Sequence, residues 1–471
     1  MSVAIVWFRR DLRLDDHPAL QAALRAGHRI VPVYIHAPDE ETPWSPGAAS
    51  LAWLRHSLIA FDASLRARGS RLIVREGPSL QALERLAAET GAEAVYWSRR
   101  YEPACIASDT AVRKDLRARG LHAESHGGAL LCEPWAIATQ QGDPYRVFTP
   151  FWRNLTQRLA AIAPVDAPVR LAPVDATLAS SAIADLIPAQ AWDEPFWTHW
   201  QPGEKAACAR LSACMDALLG NYTTHRDRPD IDGTSRLSPH LHFGEVSPRR
   251  IVHVLRSAAG DAQAAAQAEG LIRELGWREF SHHLLFHFPQ TTDANLNPRF
   301  DAFAWAVPDA RRLHAWQRGR TGVPLVDAGM RQLWRTGWMH NRVRMVVASF
   351  LCKNLRMHWL HGARWFWDTL VDADLANNTQ GWQWSAGTGA DAAPYFRVFN
   401  PVAQAARFDP EGVYVRRWLP EFERLPDAAL FEPWKHPALL KRFAPHYPCA
   451  PVVDLAQSRQ DALSAFAASK G

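Results

Sequence analysis

Four short β-branched or aromatic runs, AIVWF (Ala4–Phe8), IVPVYI (Ile30–Ile35), RLIVR (Arg71–Arg75) and AVYW (Ala94–Trp97), fall in the first quarter of the chain, and nothing like them recurs afterwards. Between them Pro18–Ala26, Ala48–Arg68 and Leu80–Thr90 repeat apolar residues at helical spacing, and Thr110–Arg119 adds another such stretch. Apolar runs without polar alternation suit strands covered on both faces. Strands alternating with helices predict a doubly wound parallel sheet whose ligand site lies at the carboxyl ends of the strands. WFRRDLRLDD follows the first run in place of a G-x-G-x-x-G turn, which disfavours a nicotinamide oxidoreductase.

Ala161–Ala191 is rich in Ala and Pro with almost no aromatics and predicts an extended connection. Beyond it the periodicity is helical over Pro248–Ala258, Ala262–Phe286, Pro324–Trp334, His340–Leu360 and Arg364–Val371. The expected organisation is α/β plus all-α: a parallel-sheet domain over residues 1–130, a long linker over 131–191 and a helical domain over 192–471.

With 48% hydrophobic and 21% charged residues in 471, disordered and fibrous classes are excluded. The six Cys show no C-x-x-C and no Cys/His spacing, so they read as reduced thiols and not as a metal site. Only six apolar residues precede Arg9, too few for a signal or a membrane span, so the expectation is a cytoplasmic protein without a membrane partner. The net charge of +5 is modest, but its distribution is uneven. From Ala328 to Trp367 there is no Asp or Glu, while Arg331, Arg335, Arg342, Arg344, Lys353, Arg356 and Arg364 stand there with His340, His358 and His361. A basic segment in a chain with 21 Trp suggests phosphate contacts and base stacking; a solvated helix face would ordinarily mix Glu with its cations.

Three stretches carry candidate chemistry. In GTSRLSPHLHFGEVSPR (Gly233–Arg249), Thr234, Ser235, Arg236 and Ser238 offer hydroxyls, amides and a guanidinium at a helix start, equipment that can hold a pyrophosphate or simply cap the helix. In ELGWREFSHHLL (Glu274–Leu285), Glu274 and Trp277 are three apart and share a helix face, which suits either a binding pair or a core Trp with a salt-bridged Glu. In Gly337–Pro401, Asn341, Arg344 and Met345 share a face, Trp382 and Trp384 diverge, and Asp372 and Asp374 in DADLANN would otherwise pass for a solvated loop.

Together with WFRRDLRLDDHPAL, these motifs resemble the DNA photolyase/cryptochrome family from about residue 3 to residue 450, specifically the bacterial cyclobutane pyrimidine dimer photolyases. The resemblance implies a helical FAD-binding domain in which Tyr222, Thr234, Ser235, Arg236, Leu237, Ser238, Trp338, Asn341, Arg344, Asp372, Ala373, Asp374 and Asn378 hold FAD. Asn378 would lie opposite flavin N5, a position that favours repair over light sensing, and Asp372 would pair with Arg344. It implies a lesion pocket and DNA surface made of Arg226, Glu274, Trp277, Arg278, Asn341, Arg342, Met345, Trp384 and Arg397, and an electron path through Trp382, Trp359 and Trp305. The implied activity is light-dependent repair of UV-damaged DNA by electron transfer from excited reduced FAD to the flipped-out dimer, by a monomer without an obligate protein partner.

The alternatives are a cryptochrome-type photoreceptor, which would carry a regulatory extension and lose the pocket set, and a (6-4) photolyase, which would carry His at positions 341 and 345. The resemblance also implies a second, antenna chromophore of folate or deazaflavin type. Cys105 and Gln290–Asn297 lack the Glu and Lys of folate binders, and His242 replaces the Lys of deazaflavin binders. Arg9, Arg10 and Glu102 are the pocket residues left.

Overall fold

Strands Val3–Phe8 (β1), Arg29–His36 (β2), Ile73–Glu76 (β3), Ala92–Ser98 (β4) and His122–His126 (β5) form a parallel sheet in the order β3-β2-β1-β4-β5. The coordinates, a computed structural model, describe residues 2–159, 163–391 and 396–469; parts of the expected linker and of the PYFRVFNP motif therefore lie outside the described residues. All six residues of β1 are buried because helices cover both faces, which is why the run reads as continuously apolar. The order reverses between β1 and β4, the switch point at which such sheets bind ligands.

β5 was not expected. HAESH pairs only with β4 and buries one residue of five, so an edge strand with polar side chains left no apolar run to read. Helix 110–119 begins earlier, at Pro103. The expected helix His340–Leu360 is broken: Asn341–Ser349 widens into a π-turn over Phe350–Asn354, Arg356 turns left-handed at φ 50°, and a new helix runs Trp359–Thr369, absorbing the one expected to start at Arg364. No Gly or Pro marks the break, so periodicity ran straight through it. Among the described residues, no strand follows β5.

The chain divides into two compact units, and not at Trp192. The first runs to Gly220 and takes in Ser235–Pro289 and Val371–Leu375; the second comprises Asn221–Thr234, Gln290–Leu370 and the chain from Ala376 onward. Buried polar anchors explain why residues beyond 192 belong with the sheet. Arg13, 1% exposed, donates to the carbonyls of Asp15, Asp16, Gly128 and Gly244 at 2.9–3.0 Å. Asp16 receives Ser247 and Arg249, and Glu204 accepts from the amides of Leu14 and Asp15. Gly244, at φ +63°, sits so close to the Arg10 carbonyl that a Cβ would come within 2.2 Å.

The expected 131–191 linker is not a free tether. It contains the helix Phe148–Arg158, and its later part lies along the sheet: Leu171 N–H bonds to Arg68 O, Ser181 N–H to Val74 O, and Val174 and Leu178 pack on the sheet core. An extended segment that lacks its own hydrogen-bonded structure can still bury its apolar side chains on a neighbouring sheet.

Candidate functional site

At the carboxyl ends of β1, β2 and β4 a cleft opens, lined among others by Trp7, Arg9, Arg10, Tyr34, Arg100 and Cys105. Its charges are internally balanced. Glu41 receives Arg10 at 3.1 Å and Arg100 at 2.7 and 2.8 Å, Glu102 receives Arg100 at 2.7 Å, and Asp109 holds Arg9 at 2.6 and 2.9 Å. Burial by itself would raise the Glu102 pKa, but Arg100 and Arg10 hold it far below the usual carboxylate range. His242 is buried, with Nε2 accepting from Arg10 at 3.0 Å; burial first, then Arg10, keeps its ring neutral.

A second, inner cleft adjoins it, lined by Arg10, Arg100, Glu102, His242, Arg278, His282 and Asp374 among others. Asp374, expected at FAD, pairs with His282 at 3.3 Å; burial would raise its pKa, but His282 and Arg278 hold it well below the usual value, and His282 is raised in return. Arg278 Nη1 donates to Ala129 O at 2.8 Å and the side chain lines this cleft. It follows Trp277 by one residue and so projects about 100° around the helix from it.

Trp277 and Glu274 lie on the helix Ala262–His287, both half-buried. Phe148 stacks on Trp277 with ring centroids 3.6 Å apart and planes 8° from parallel, so a buried phenyl covers one indole face. The FAD-side segment before Ser238 is shaped by Arg236, which adopts φ 53° and lies over Trp200 at 4.4 Å, and by Ser235 O, which accepts from Arg210 at 2.8 Å. The helix here spans only Ser238–His242 with Leu237 at its cap, so no Ser or Thr hydroxyl caps it. Asp372 and Ala373 are buried.

In the second unit Tyr222 is buried beneath the Arg226 guanidinium at 5.6 Å, and Arg344 Nε donates to Met339 O at 2.7 Å with its guanidinium 5.8 Å from the Trp338 ring. Asn341 is exposed and Met345 half-buried. Asn378 donates from Nδ2 to Ala363 O at 2.9 Å, which fixes its amide orientation. Trp384 donates to Asp391 O at 3.1 Å, while Trp382, two residues earlier and 2% exposed, packs on Phe366 and Trp316. Gly362 makes that packing possible, since a Cβ there would sit 2.0 Å from the Trp382 ring. Trp359 is fully buried, and its Nε1–H donates to Asn295 Oδ1 at 2.9 Å. Trp305 and Trp359 both meet His358, with centroids 5.0 and 5.5 Å away. Gln383 braces the Asn295 loop by accepting from Leu296 N and donating to Thr291 O and Ala294 O. Asn295, Gln383, Gly362 and Phe148 had no sequence signal beyond their neighbours.

The acid-free basic run is less basic in space than in sequence. Glu421 binds Arg331 at 2.7 and 3.0 Å, Asp227 binds Arg342 at 2.7 Å, and Lys353 is buried, donating to Ala386 O at 2.6 Å and lying over Phe396. Burial pushes the Lys353 pKa down to about 7. Arg335, Arg364 and Arg397 are exposed. Among the described residues no cluster of His, Cys, Asp or Glu could hold a metal, and no helix is long and apolar enough to cross a membrane.

A doubly wound sheet unit precedes a helical region that carries the buried Asp372 and the half-buried Asp374, and comparison with known proteins identifies the class. Residues 4–170 match the DNA photolyase family, and residues 271–468 match the FAD binding domain of DNA photolyase. A deoxyribodipyrimidine photo-lyase of Agrobacterium fabrum is 45% identical over 99% of this chain and 98% of its own length. Cryptochrome-1 of Arabidopsis thaliana is 38% identical over 92% of this chain and 65% of its own length. The crystal structure of a bacterial class III photolyase from Agrobacterium tumefaciens superposes with a TM-score of 0.93 at 45% identity, covering 100% of this chain and 98% of that one. The chain belongs to the DNA photolyase family, and its cofactor is FAD. The donor set fits that cofactor: hydroxyls and a guanidinium at 234–238 suit a pyrophosphate, the carboxylates of buried Asp372 and half-buried Asp374 suit sugar hydroxyls, and the oriented Asn378 amide suits a ring nitrogen.

Proposed function

We propose that this protein is a deoxyribodipyrimidine photo-lyase, repairing cyclobutane pyrimidine dimers in UV-damaged DNA under light, as a cytoplasmic monomer without an obligate protein partner. The observation that carries this reading is Trp277: one face is occupied by Phe148 and the ring is only half-buried, so a base would stack on its opposite face. Stacking of that kind contributes about 1–3 kcal/mol per base, enough to offset much of the cost of extruding a dimer that is already poorly stacked. Glu274, one turn earlier on the same helix, would hydrogen-bond the pyrimidine edge. On the second unit, Asn341, Met345 and Trp384 would contact the lesion, and Arg226, Arg342 and Arg397 would hold the flanking phosphates. Bound and reduced, FAD supplies the single electron that opens the cyclobutane ring and later returns. Asn378, its amide aimed by Ala363 O, would hold a hydrogen bond at the flavin ring.

Trp382, Trp359 and Trp305 would deliver electrons from the surface, with His358 bridging the last two. Trp382→Phe should stop photoreduction while sparing repair by chemically reduced enzyme; unaltered photoreduction removes this path. The balanced cleft of the sheet unit, where each Arg already has a carboxylate, suits an uncharged flat antenna ring better than a phosphate-rich one. The six free thiols accord with a reducing compartment.

The cryptochrome and (6-4) readings are separated by one assay. Reduced protein is illuminated with oligonucleotides bearing each lesion; light-dependent loss of cyclobutane dimers alone is expected, and its absence rejects the proposal. Asn341 and Met345, where (6-4) repair would need His, favour the cyclobutane substrate.

A further inference from the structure

Asp227 belongs to the short segment Asn221–Thr234 and reaches Arg342 on the helix Asn341–Ser349 within the same compact unit. Its Oδ2 lies 2.7 Å from Arg342 Nη2, and the guanidinium is held flat over Phe408 at 4.5 Å. The backbone of Arg342 is fixed separately, its N–H donating to His340 Nδ1 at 3.2 Å. Asp227 is pre-placed as well: Arg228 Nε clamps Asp230 at 2.7 Å two residues on, and Gly233 packs so tightly on His225 that a Cβ would sit 2.4 Å from its carbonyl oxygen. Both partners nevertheless keep contact with water, the carboxylate at 38% and the guanidinium at 21% exposure. Arg342 Nε is buried without a hydrogen-bond partner, so Asp227 engages one corner of the fork and leaves it incompletely satisfied.

We propose that Asp227 competes with the DNA backbone for Arg342, so that a phosphate must displace a carboxylate to make this contact. The inference rests on the reading that Arg342 touches phosphate. Carboxylate and phosphodiester both seek the same planar donors, and the two anions repel at that separation. An undamaged duplex offers little beyond backbone contacts and leaves the pair closed. A duplex with an extruded dimer gains base stacking and pocket contacts, which supply the driving force for the exchange. Asp227 therefore lowers affinity for both duplexes: a complex that opens the pair bears the cost of opening it, and one that leaves it closed forgoes the phosphate contact.

The test is equilibrium binding of the full chain to undamaged and dimer-bearing duplexes across a salt series. Asp227→Asn should tighten undamaged binding roughly three- to ten-fold, the range of a partly exposed ion pair, and steepen the salt slope by about one. Lesion binding should tighten at least as much, since that complex bears the cost of opening the pair. In an Arg342→Ala background the same change should do nothing, and Asp227→Glu should restore the parental slope. An unchanged slope, a gain confined to the undamaged duplex, or a gain that persists without Arg342 overturns the proposal. If Asp227→Asn fails to fold, Asp227→Ser carries the same expectations. The underlying reading fails separately: Arg342→Ala would then leave the salt slope of the parental protein untouched, whereas a lowered slope there with a silent Asp227→Asn rejects only the competition.

Discussion

Arginines 9, 10, 13, 99 and 100 crowd the carboxyl end of the sheet, and each is matched by a carboxylate or by carbonyls brought in by the fold: Asp109, Glu41, Glu102, Glu133, and the backbone oxygens around Arg13. In the helical unit, Arg335, Arg364 and Arg397 stand exposed, and Arg331 and Arg342 hold single acidic partners that keep contact with solvent. The same residue type is therefore spent differently. At the sheet its charge is cancelled and its donors bind chain segments together; on the helices its charge stays available to a polyanion. A buried, fully donated guanidinium cannot be released without leaving uncompensated polar groups, whereas a surface pair opens at a cost below about 1 kcal/mol.

That contrast can be broken in order of size. Arg13→Ala should destabilise the sheet unit by about 3–5 kcal/mol, read as a lowered denaturation midpoint, because it orphans several buried carbonyls; a loss under 1 kcal/mol would mean that water replaces it freely. Acid should act next. His283, whose Nε2 accepts from Tyr145 N–H, is pushed down to about 4 by burial first and His287 second, and His340, whose Nδ1 accepts from Arg342 N–H, is pushed to about 4 by burial, with the nearby arginines adding to it. Between pH 4 and the unfolded value near 6.5 the unfolded chain binds more protons, so stability falls as pH drops through that window, by on the order of 3 kcal/mol per ring. Urea midpoints measured from pH 7 to pH 4 check this, and a flat profile would rule it out.

Arg342→Ala should spare the denaturation midpoint to within about 1 kcal/mol yet reduce the salt slope of DNA binding by about one. If stability fell as it does for Arg13→Ala, the two regions would not differ in the way described. The smallest effect is expected at Arg331: Arg331→Ala removes a partly exposed pair with Glu421 and should cost less than about 1 kcal/mol with little change in DNA affinity.

Much of the sheet was legible because each central strand is covered on both faces and its apolar run is uninterrupted. β5 escaped because an edge strand needs no such run, and the turn at Arg356 escaped because no Gly or Pro announces it. The candidate site was legible where a motif holds its residues on one element, as with Glu274 and Trp277. It was not legible where partners come from afar: Phe148 beneath Trp277, Asn295 on the Trp359 indole, Gly362 against Trp382.

By itself the sequence determined the strand–helix alternation, the helical second half, the family, and the side chains available for flavin and DNA, because periodicity and composite motifs are local properties of the chain. Tertiary structure decided which of those side chains are free to act. Charge neutralisation depends on distance in space, and the pairs that set it here, Asp16 with Arg249, Asp227 with Arg342 and Glu421 with Arg331, join residues that no window along the chain would place together.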